Sequence, residues 1–205
     1  YENNEVLALV ETPTYDKEMI TNLAVSGVDG RTYNFKYTYD TKGNIKRAWG
    51  SLYNSHYTYD DKNQLIKVID STNGFTTLYT YDNRGNMVSE IKYDKDEYES
   101  NAETATPIET VVYTYGNDLW EDQLSKVNNK TITYDDMGNR ISYDGWNYTW
   151  EGGRQLASMS KGDTTITYKY DDSGIRIEKK INDKTIKYTI VYGKITSQDD
   201  GTNKL

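Results

Sequence analysis

The sequence predicts an all-β chain of tandem antiparallel β-hairpins, joined side by side into a curved, elongated sheet. Three observations carry that expectation. A string Tyr-x-Tyr-Asp-x-x-Gly-Asn occurs at Tyr37–Asn44 and returns at Tyr79–Asn86, with weaker copies at Tyr57–Asp60, Thr133–Asn139 and Tyr168–Gly174. The Tyr-Asp steps or their equivalents fall at 39/40, 59/60, 81/82, 115/116, 134/135, 150/151, 170/171 and 192/193, a spacing of 16 to 34 residues that marks a repeat array. Hydrophobic residues make up only 35% of the 205 positions while tyrosine occurs 21 times, so the core has to be aromatic.

Each element of the repeat has a physical role. Tyr37 and Tyr39 stand at i and i+2, so on a strand both rings share one face and the intervening threonine takes the other. Asp40 can accept from the backbone two residues on and start a turn. Gly43 supplies the left-handed conformation that closes it, as expected for a type I turn with a bulge. The same roles fall to Tyr59 and Asp60, to Tyr81, Asp82 and Gly85, to Tyr134, Asp135 and Gly138, and to Tyr170, Asp171 and Gly174. Trp150-Glu151 reads as a rewritten step, and Tyr115-Gly116 and Tyr192-Gly193 as steps that have lost the Asp. Tyr39, Tyr59, Tyr81, Tyr134 and Tyr170 are expected to stack as one ladder of rings.

Taken in order, residues 1–32 read as a degenerate repeat or leading strands. Val6–Val10 is a short apolar run, Pro13 is expected to break any regular element, and Leu23–Gly30 fits a strand and a turn. Residues 33–91 hold the cleanest repeats. Residues 92–110 are acidic, small and polar and predict a surface loop. Residues 111–205 return to the repeat, with a longer turn at Asn117–Leu124 in which Trp120 can fold over the hairpin end. The four segments are expected to form a single continuous repeat domain. The apolar anchors after each turn sit three apart (Leu65 and Val68, Leu124 and Val127, Leu156 and Met159), which breaks strict alternation. Either a bulge re-aims one of them or the strand turns across the sheet. The chain opens on Tyr1 and ends at Gly201–Leu205 without closing a hairpin, so it is expected to be a section of a longer protein.

The composition argues against several chemistries. A net charge of -8 with lysines alternating with acids speaks against phosphate binding and nucleic-acid partners. Cysteine is absent, which removes disulfides and Cys-based metal sites. No apolar run approaches membrane-spanning length. His56 is the single histidine and lies on the polar side of its strand, with no Gly-x-Ser-x-Gly elbow in the chain. The adjacent carboxylates Asp60-Asp61, Asp135-Asp136 and Asp171-Asp172 fall at turns, and adjacent strand residues point to opposite faces, a poor arrangement for glycoside hydrolysis. Asp94, Asp96, Glu97 and Glu99 do not have EF-hand spacing. The expectation is therefore no enzyme, no catalytic or metal-ligating residue and no cofactor.

The string Ile132–Arg140 followed by Tyr148-Thr149-Trp150-Glu151-Gly152-Gly153-Arg154-Gln155-Leu156 resembles the RHS/YD-repeat family of bacterial surface and secreted proteins, with relatives in insecticidal toxin complexes and teneurins. The resemblance covers about Tyr33 to Tyr192. It implies a section of a β-spiral shell that encapsulates or presents a C-terminal effector toxin. It also implies neighbouring repeats and that effector as partners, and an extracellular or cell-surface location in a bacterium, with the lack of cysteine pointing to a Gram-positive one. The family's Asp-Pro cleavage motif is not present, since the two prolines follow Thr12 and Thr106. The alternative is a carbohydrate- or cell-wall-binding module or adhesin, using Trp49, Trp120, Trp146, Trp150 and exposed tyrosines as stacking platforms. Open sheet edges could also pair two isolated copies.

Overall fold

The computed structural model describes residues 10–27, 29–116 and 120–204. Residues Val6–Leu9 of the apolar run and Asn117–Leu119 of the longer turn lie outside them. The described residues contain eighteen strands and one short helix. They fall into two compact units, one through Tyr113 and one from Thr114.

In the first unit the strands are β1 (Val10–Asp16), β2 (Met19–Ser26), β3 (Thr32–Tyr39), β4 (Ile45–Gly50), β5 (Asn54–Tyr59), β6 (Leu65–Asp70), β7 (Phe75–Tyr81), β8 (Met87–Asp94) and β9 (Pro107–Tyr115). Each pairs antiparallel with its neighbour in sequence. Proline does not break the first element: Pro13 lies inside β1 opposite Leu23. A strand accepts proline where the missing N–H faces away from the paired neighbour. Residues 92–110 are not one loop. β8 continues to Asp94, α1 (Lys95–Ser100) follows, and β9 begins at Pro107. Asp94 Oδ1 accepts from the Asp96 and Glu97 amides, an N-cap that competes successfully with the loop propensity of this polar stretch. Tyr98 of α1 then packs on Tyr93 of β8, ring centroids 5.1 Å apart.

In the second unit the strands are β10 (Leu124–Val127), β11 (Lys130–Tyr134), β12 (Arg140–Tyr143), β13 (Trp146–Glu151), β14 (Gln155–Lys161), β15 (Thr164–Tyr170), β16 (Arg176–Ile181), β17 (Lys184–Val191) and β18 (Lys194–Asp199). These also pair antiparallel in sequence order.

A bulge settles the three-residue spacing of Leu65 and Val68 and of Leu156 and Met159. In β5–β6, Tyr59 pairs with Leu65 but Thr58 with Lys67 and Tyr57 with Val68, so Ile66 is the extra residue and Leu65 and Val68 both lie on the tyrosine face. The same slip occurs at the Tyr-Asp end of β3–β4, β7–β8, β11–β12, β13–β14 and β15–β16. Three apolar side chains are buried among the described residues: Ala48, Ile132 and Tyr148. Register places all three on the tyrosine face, which is therefore where the thin core lies.

The last Tyr-Gly step is a correction. In β17–β18, Ile190 pairs with Ile195 and Val191 with Lys194, so Tyr192-Gly193 form a two-residue turn and Tyr192 is wholly exposed. Ile190 takes the position at the bulge that the repeat tyrosine holds elsewhere, and a lone Tyr-Gly pair could not reveal that shift of register.

Candidate functional site

The repeating feature of both units is the Tyr-Asp turn. Asp40 Oδ1 accepts from the amides of Lys42 (2.8 Å) and Asn44 (2.9 Å), while Oδ2 accepts from the Asn44 side-chain amide (3.0 Å). The backbone closes around it: Asp40 N–H donates to the Asn44 carbonyl and Gly43 N–H to the Asp40 carbonyl. Gly43 has φ +88°, the left-handed region the turn requires. Asp82 with Gly85 and Asn86, and Asp135 with Gly138 and Asn139, repeat every one of these contacts. Asp60 and Asp171 keep the backbone bonds but lose the side-chain one, because Gln64 and Ile175 stand where the asparagine would be. Asn63 replaces the turn glycine and still adopts φ +63°. The asparagine side chain is the leading reason that the Asp40, Asp82 and Asp135 carboxyls are held below the ordinary carboxylate value.

The second tyrosine has a separate task. Neighbouring hairpins pair only over the half of their strands away from the turn. The β4–β5 ladder ends at Arg47 and His56, which leaves the Ile45 carbonyl beyond it. Tyr59 reaches across and donates its hydroxyl to that carbonyl at 3.0 Å. The bond recurs as Tyr39 to Ile20 (2.6 Å), Tyr81 to Leu65 (2.8 Å), Tyr134 to Leu124 (2.6 Å) and Tyr170 to Leu156 (3.0 Å). Trp150 does the same with its indole N–H on the Arg140 carbonyl at 2.8 Å. Partial burial raises the hydroxyl pKa of Tyr39, Tyr59, Tyr81 and Tyr134, so each stays a protonated donor.

These contacts replace the expected ladder of rings. Among the described residues none of Tyr39, Tyr59, Tyr81, Tyr134 and Tyr170 stacks on another ring; the ring pairs that occur include Phe35 with Tyr53 and Tyr93 with Tyr98. Repeat tyrosines of successive hairpins stand two strands apart, roughly 9–10 Å, too far for ring contact. The first tyrosine of each pair, such as Tyr37, lies half-buried on the same face, opposite Ala48. The sequence predicts packing for the second tyrosine and a hydroxyl that reaches water or a partner group, without specifying the backbone carbonyl it meets. The signal was the Tyr-for-Trp exchange at Trp150, since both side chains carry a donor and phenylalanine does not appear there.

Neighbouring turns also touch. Asn44 Nδ2 donates to Asn63 Oδ1, Lys42 Nζ to the Asp61 carbonyl, and Asn139 Nδ2 to the Gly153 carbonyl. Clefts open between them. One of about 420 Å³ is lined by Tyr39, Asp40, Thr41, Lys46 and Tyr57–Tyr59, and one of about 440 Å³ by Tyr134, Gly138, Asn139, Arg140, Trp150 and Arg154. Trp120 lies against Gly138, where an added Cβ would meet its ring at 2.2 Å.

The remaining candidates are occupied by structure. His56 is half-buried in β5 between Arg47 and Ile69. Asp94 caps α1, Lys95 pairs with Asp96 and Glu99, and Glu97 accepts from the Thr106 amide. Among the described residues no three His, Asp or Glu groups gather into a metal-ligating cluster. No helix there is long and apolar enough to cross a membrane.

The class of protein is thus a repeat array of antiparallel hairpins, five of them closed by an aspartate that accepts from the turn amides and six tied to the preceding hairpin by an aromatic donor. Residues 59–95 match the family model described as RHS Repeat, so that stretch of the chain carries an RHS repeat. It is 34% identical over 131 residues to the tRNA nuclease WapA of Bacillus subtilis (strain 168), a match that covers 62% of this chain and 5% of that protein. It is 44% identical over 69 residues to the tRNA(Glu)-specific nuclease WapA of Bacillus subtilis subsp. natto (strain BEST195), covering 32% and 3% respectively. The chain thus spans about a twentieth of the length of the first of these relatives and less of the second. Its fold matches the crystal structure of TcdB2-TccC3-TEV at a TM-score of 0.50 and 12% identity, over 93% of this chain and 13% of that one.

Proposed function

We propose that the chain is a non-catalytic wall section of an RHS/YD-repeat shell that encapsulates or presents the C-terminal effector of a longer secreted or cell-surface bacterial protein. The observation that carries this reading is the repeated tie. The aromatic groups of the motif are spent joining one hairpin to the one before it, which a wall needs and a catalyst does not. The named nuclease activity of the relatives would then reside in parts of those proteins outside the matched segment. The positions Tyr37, Tyr39, Asp40, Gly43, Tyr59, Asp60, Tyr81, Asp82, Gly85, Tyr134, Asp135, Gly138, Trp150, Tyr170, Asp171 and Gly174 are on this reading construction residues of the wall.

A glycan- or cell-wall-binding module is the second reading. It is favoured by Trp120, which is 46% exposed at the rim of a cleft of about 310 Å³ lined by Gln123, Ser125 and Ile132–Asp136. It is disfavoured by Trp150, whose indole N–H is committed to the Arg140 carbonyl, and by the half-burial of Trp49 and Trp146.

Limited proteolysis of the parent protein, with intact mass of the surviving pieces, separates the two. A C-terminal piece that survives together with the repeats supports the shell. Intact repeats with everything beyond them digested would defeat it, and a polysaccharide-binding screen would follow.

A further inference from the structure

The register of unit 2 sorts its charges by face. Residues directly opposite in an antiparallel pair share a face, and successive residues alternate. On that basis the tyrosine face of β10–β18 carries Lys130, Arg140, Lys161, Arg176, Lys179 and Lys184, and its strands contribute no carboxylate. The arrangement arises in a chain whose net charge is -8, so it is not a by-product of composition. The reverse face is built differently, from cross-strand pairs such as Thr133–Ser142 and Thr149–Ser158, hydrogen-bonded at 2.5 and 2.7 Å, and Lys169–Glu178 at 2.8 Å. An antiparallel sheet with one half-buried aromatic face and one face of paired hydroxyls and charges of both signs has its solvated side on the latter.

The cations of the tyrosine face are only partly neutralised. Lys130 and Lys161 share Asp144, and Lys184 pairs with Asp200, both carboxylates lying in turns at the rim. Arg140 stacks over Tyr148 with its guanidinium carbon 4.4 Å from the ring centroid, and Arg176 over Tyr168 at 4.8 Å. A guanidinium drawn to a ring face still has N–H donors to offer an anion, and carboxylate is the group that matches their fork. Neither guanidinium donates to another described residue, and Lys179 has no ion-pair partner among the described residues.

We propose that the tyrosine face of unit 2, rather than its Thr/Ser face, is a docking surface, and that its occupant is an acidic polypeptide surface supplied by another segment of the same parent protein. The inference rests on the shell reading, and it adds which face is turned toward the enclosed chain and the chemistry it meets there. A single-stranded nucleic acid would also bring anions, but its bases need open aromatic platforms. Here Tyr148 is 8% exposed and the Tyr134, Tyr170 and Trp150 donors are tied to backbone carbonyls.

Zero-length carbodiimide coupling of amines to carboxylates, applied to the purified full-length parent and read by peptide mass spectrometry, tests the proposal. Lys130–Asp144 and Lys184–Asp200 serve as internal positive controls, because their ion pairs are 2.8 and 2.6 Å long. The expected result is a link from Lys179 to carboxylates outside the repeats, lost in the Lys179→Gln variant while the control links persist. Control links alone overturn the proposal. So does a set of outside links formed by Lys180 and Lys187 of the reverse face in place of Lys179, or nuclease-sensitive material that co-purifies and blocks coupling at Lys179. Failure of the shell reading has a different signature, the proteolytic loss of everything beyond the repeats, and is scored on the same preparation before coupling.

Discussion

In unit 2 consecutive hairpins return through two-residue turns, Asn128-Asn129, Asp144-Gly145, Gly162-Asp163 and Asn182-Asp183. In unit 1 the returns are longer, running between Ser26 and Thr32, Trp49 and Asn54, Asp70 and Phe75, and through α1 between Tyr93 and Pro107. The reverse faces differ in the same sense. That of unit 2 alternates threonine and serine with lysines and a few carboxylates. That of unit 1 carries Trp49, Ile69, Leu78, Ile91 and Tyr93, and buries Thr76 completely. Even the tyrosine faces have opposite charge, since unit 1 places Glu11, Asp70, Glu90, Asp94 and Glu109 there against Lys92. What the two share is the caged aspartate and the aromatic tie. The lesson is that the Tyr-Asp end specifies the array, while the far end and the reverse face are free to vary. Where the reverse face turns apolar, the chain adds cover, as α1 does through Tyr98 on Tyr93.

The sharpest test of the variable end is Gly50. Its φ is ordinary, yet an added Cβ would stand 1.9 Å from the Asn34 carbonyl oxygen, a backbone atom that cannot step aside. Gly50→Ala should cost about 3 kcal/mol, a fall in Tm of roughly 6–12 °C. Gly43→Ala, at φ +88° with nothing within 4 Å, meets only backbone strain and should cost about 1 kcal/mol. Thermal melts of the two variants side by side decide it. Equal shifts would mean that the long return of unit 1 demands no close approach.

The shared tie should be indifferent to the unit. Tyr81→Phe and Tyr170→Phe each remove one hydroxyl donor, to the Leu65 and Leu156 carbonyls, and each should lower stability by about 1 kcal/mol in urea unfolding. Silence of both substitutions would reduce the tie to a geometric coincidence. The reverse faces should respond oppositely. Thr76 is fully buried and its hydroxyl has no partner among the described residues, so Thr76→Val should stabilise unit 1 by about 1 kcal/mol. Thr167 of unit 2 is exposed, and Thr167→Val should change stability by less than about 0.5 kcal/mol. The same gain at both sites would erase the distinction between a covered and a solvated face.

Much of this was legible in the chain. The Tyr-x-Tyr-Asp string predicts the hairpins, and the three-residue spacing of Leu65 and Val68 leaves a bulge among two options, the one realised in β6. Three things were not legible, each for a physical reason. The tyrosine hydroxyl bonds to a backbone carbonyl, and carbonyls have no sequence signature; Tyr59 reaching Ile45 can be seen only once the ladder is known to stop at Arg47. The helix in 92–110 did have a sign, an Asp94 able to accept from the amides of Asp96 and Glu97 at a helix start, but the polar composition around it speaks equally for a loop. Tyr192 looks like a degenerate step and is a turn residue, because a slip of two positions in register is invisible in a Tyr-Gly pair. The charge sorting of the faces was hidden for the related reason that each bulge inverts the alternation partway along a strand.

The smallest effect distinguishes complete cages from incomplete ones. Asp40 has the asparagine side chain at Oδ2, and Asp171 has Ile175 in its place. The Asn44 bond is the largest cause of the lowered Asp40 pKa, so the folded state binds that proton less readily than the unfolded chain, whose ordinary value is 3.8. The resulting stabilisation is fully present above that value and disappears as pH falls through the lower folded pKa. Asn44→Ile should convert the first cage into the kind found at Asp171. Its Asp40 carboxyl should titrate nearer 3.8 by NMR, and its deficit against the unmodified chain, measured by urea unfolding, should be larger at about pH 6 than at about pH 2. A deficit that is the same at both pH values would assign the asparagine to turn packing alone, and the carboxylate would then be held by backbone amides as firmly in the incomplete cages as in the complete ones.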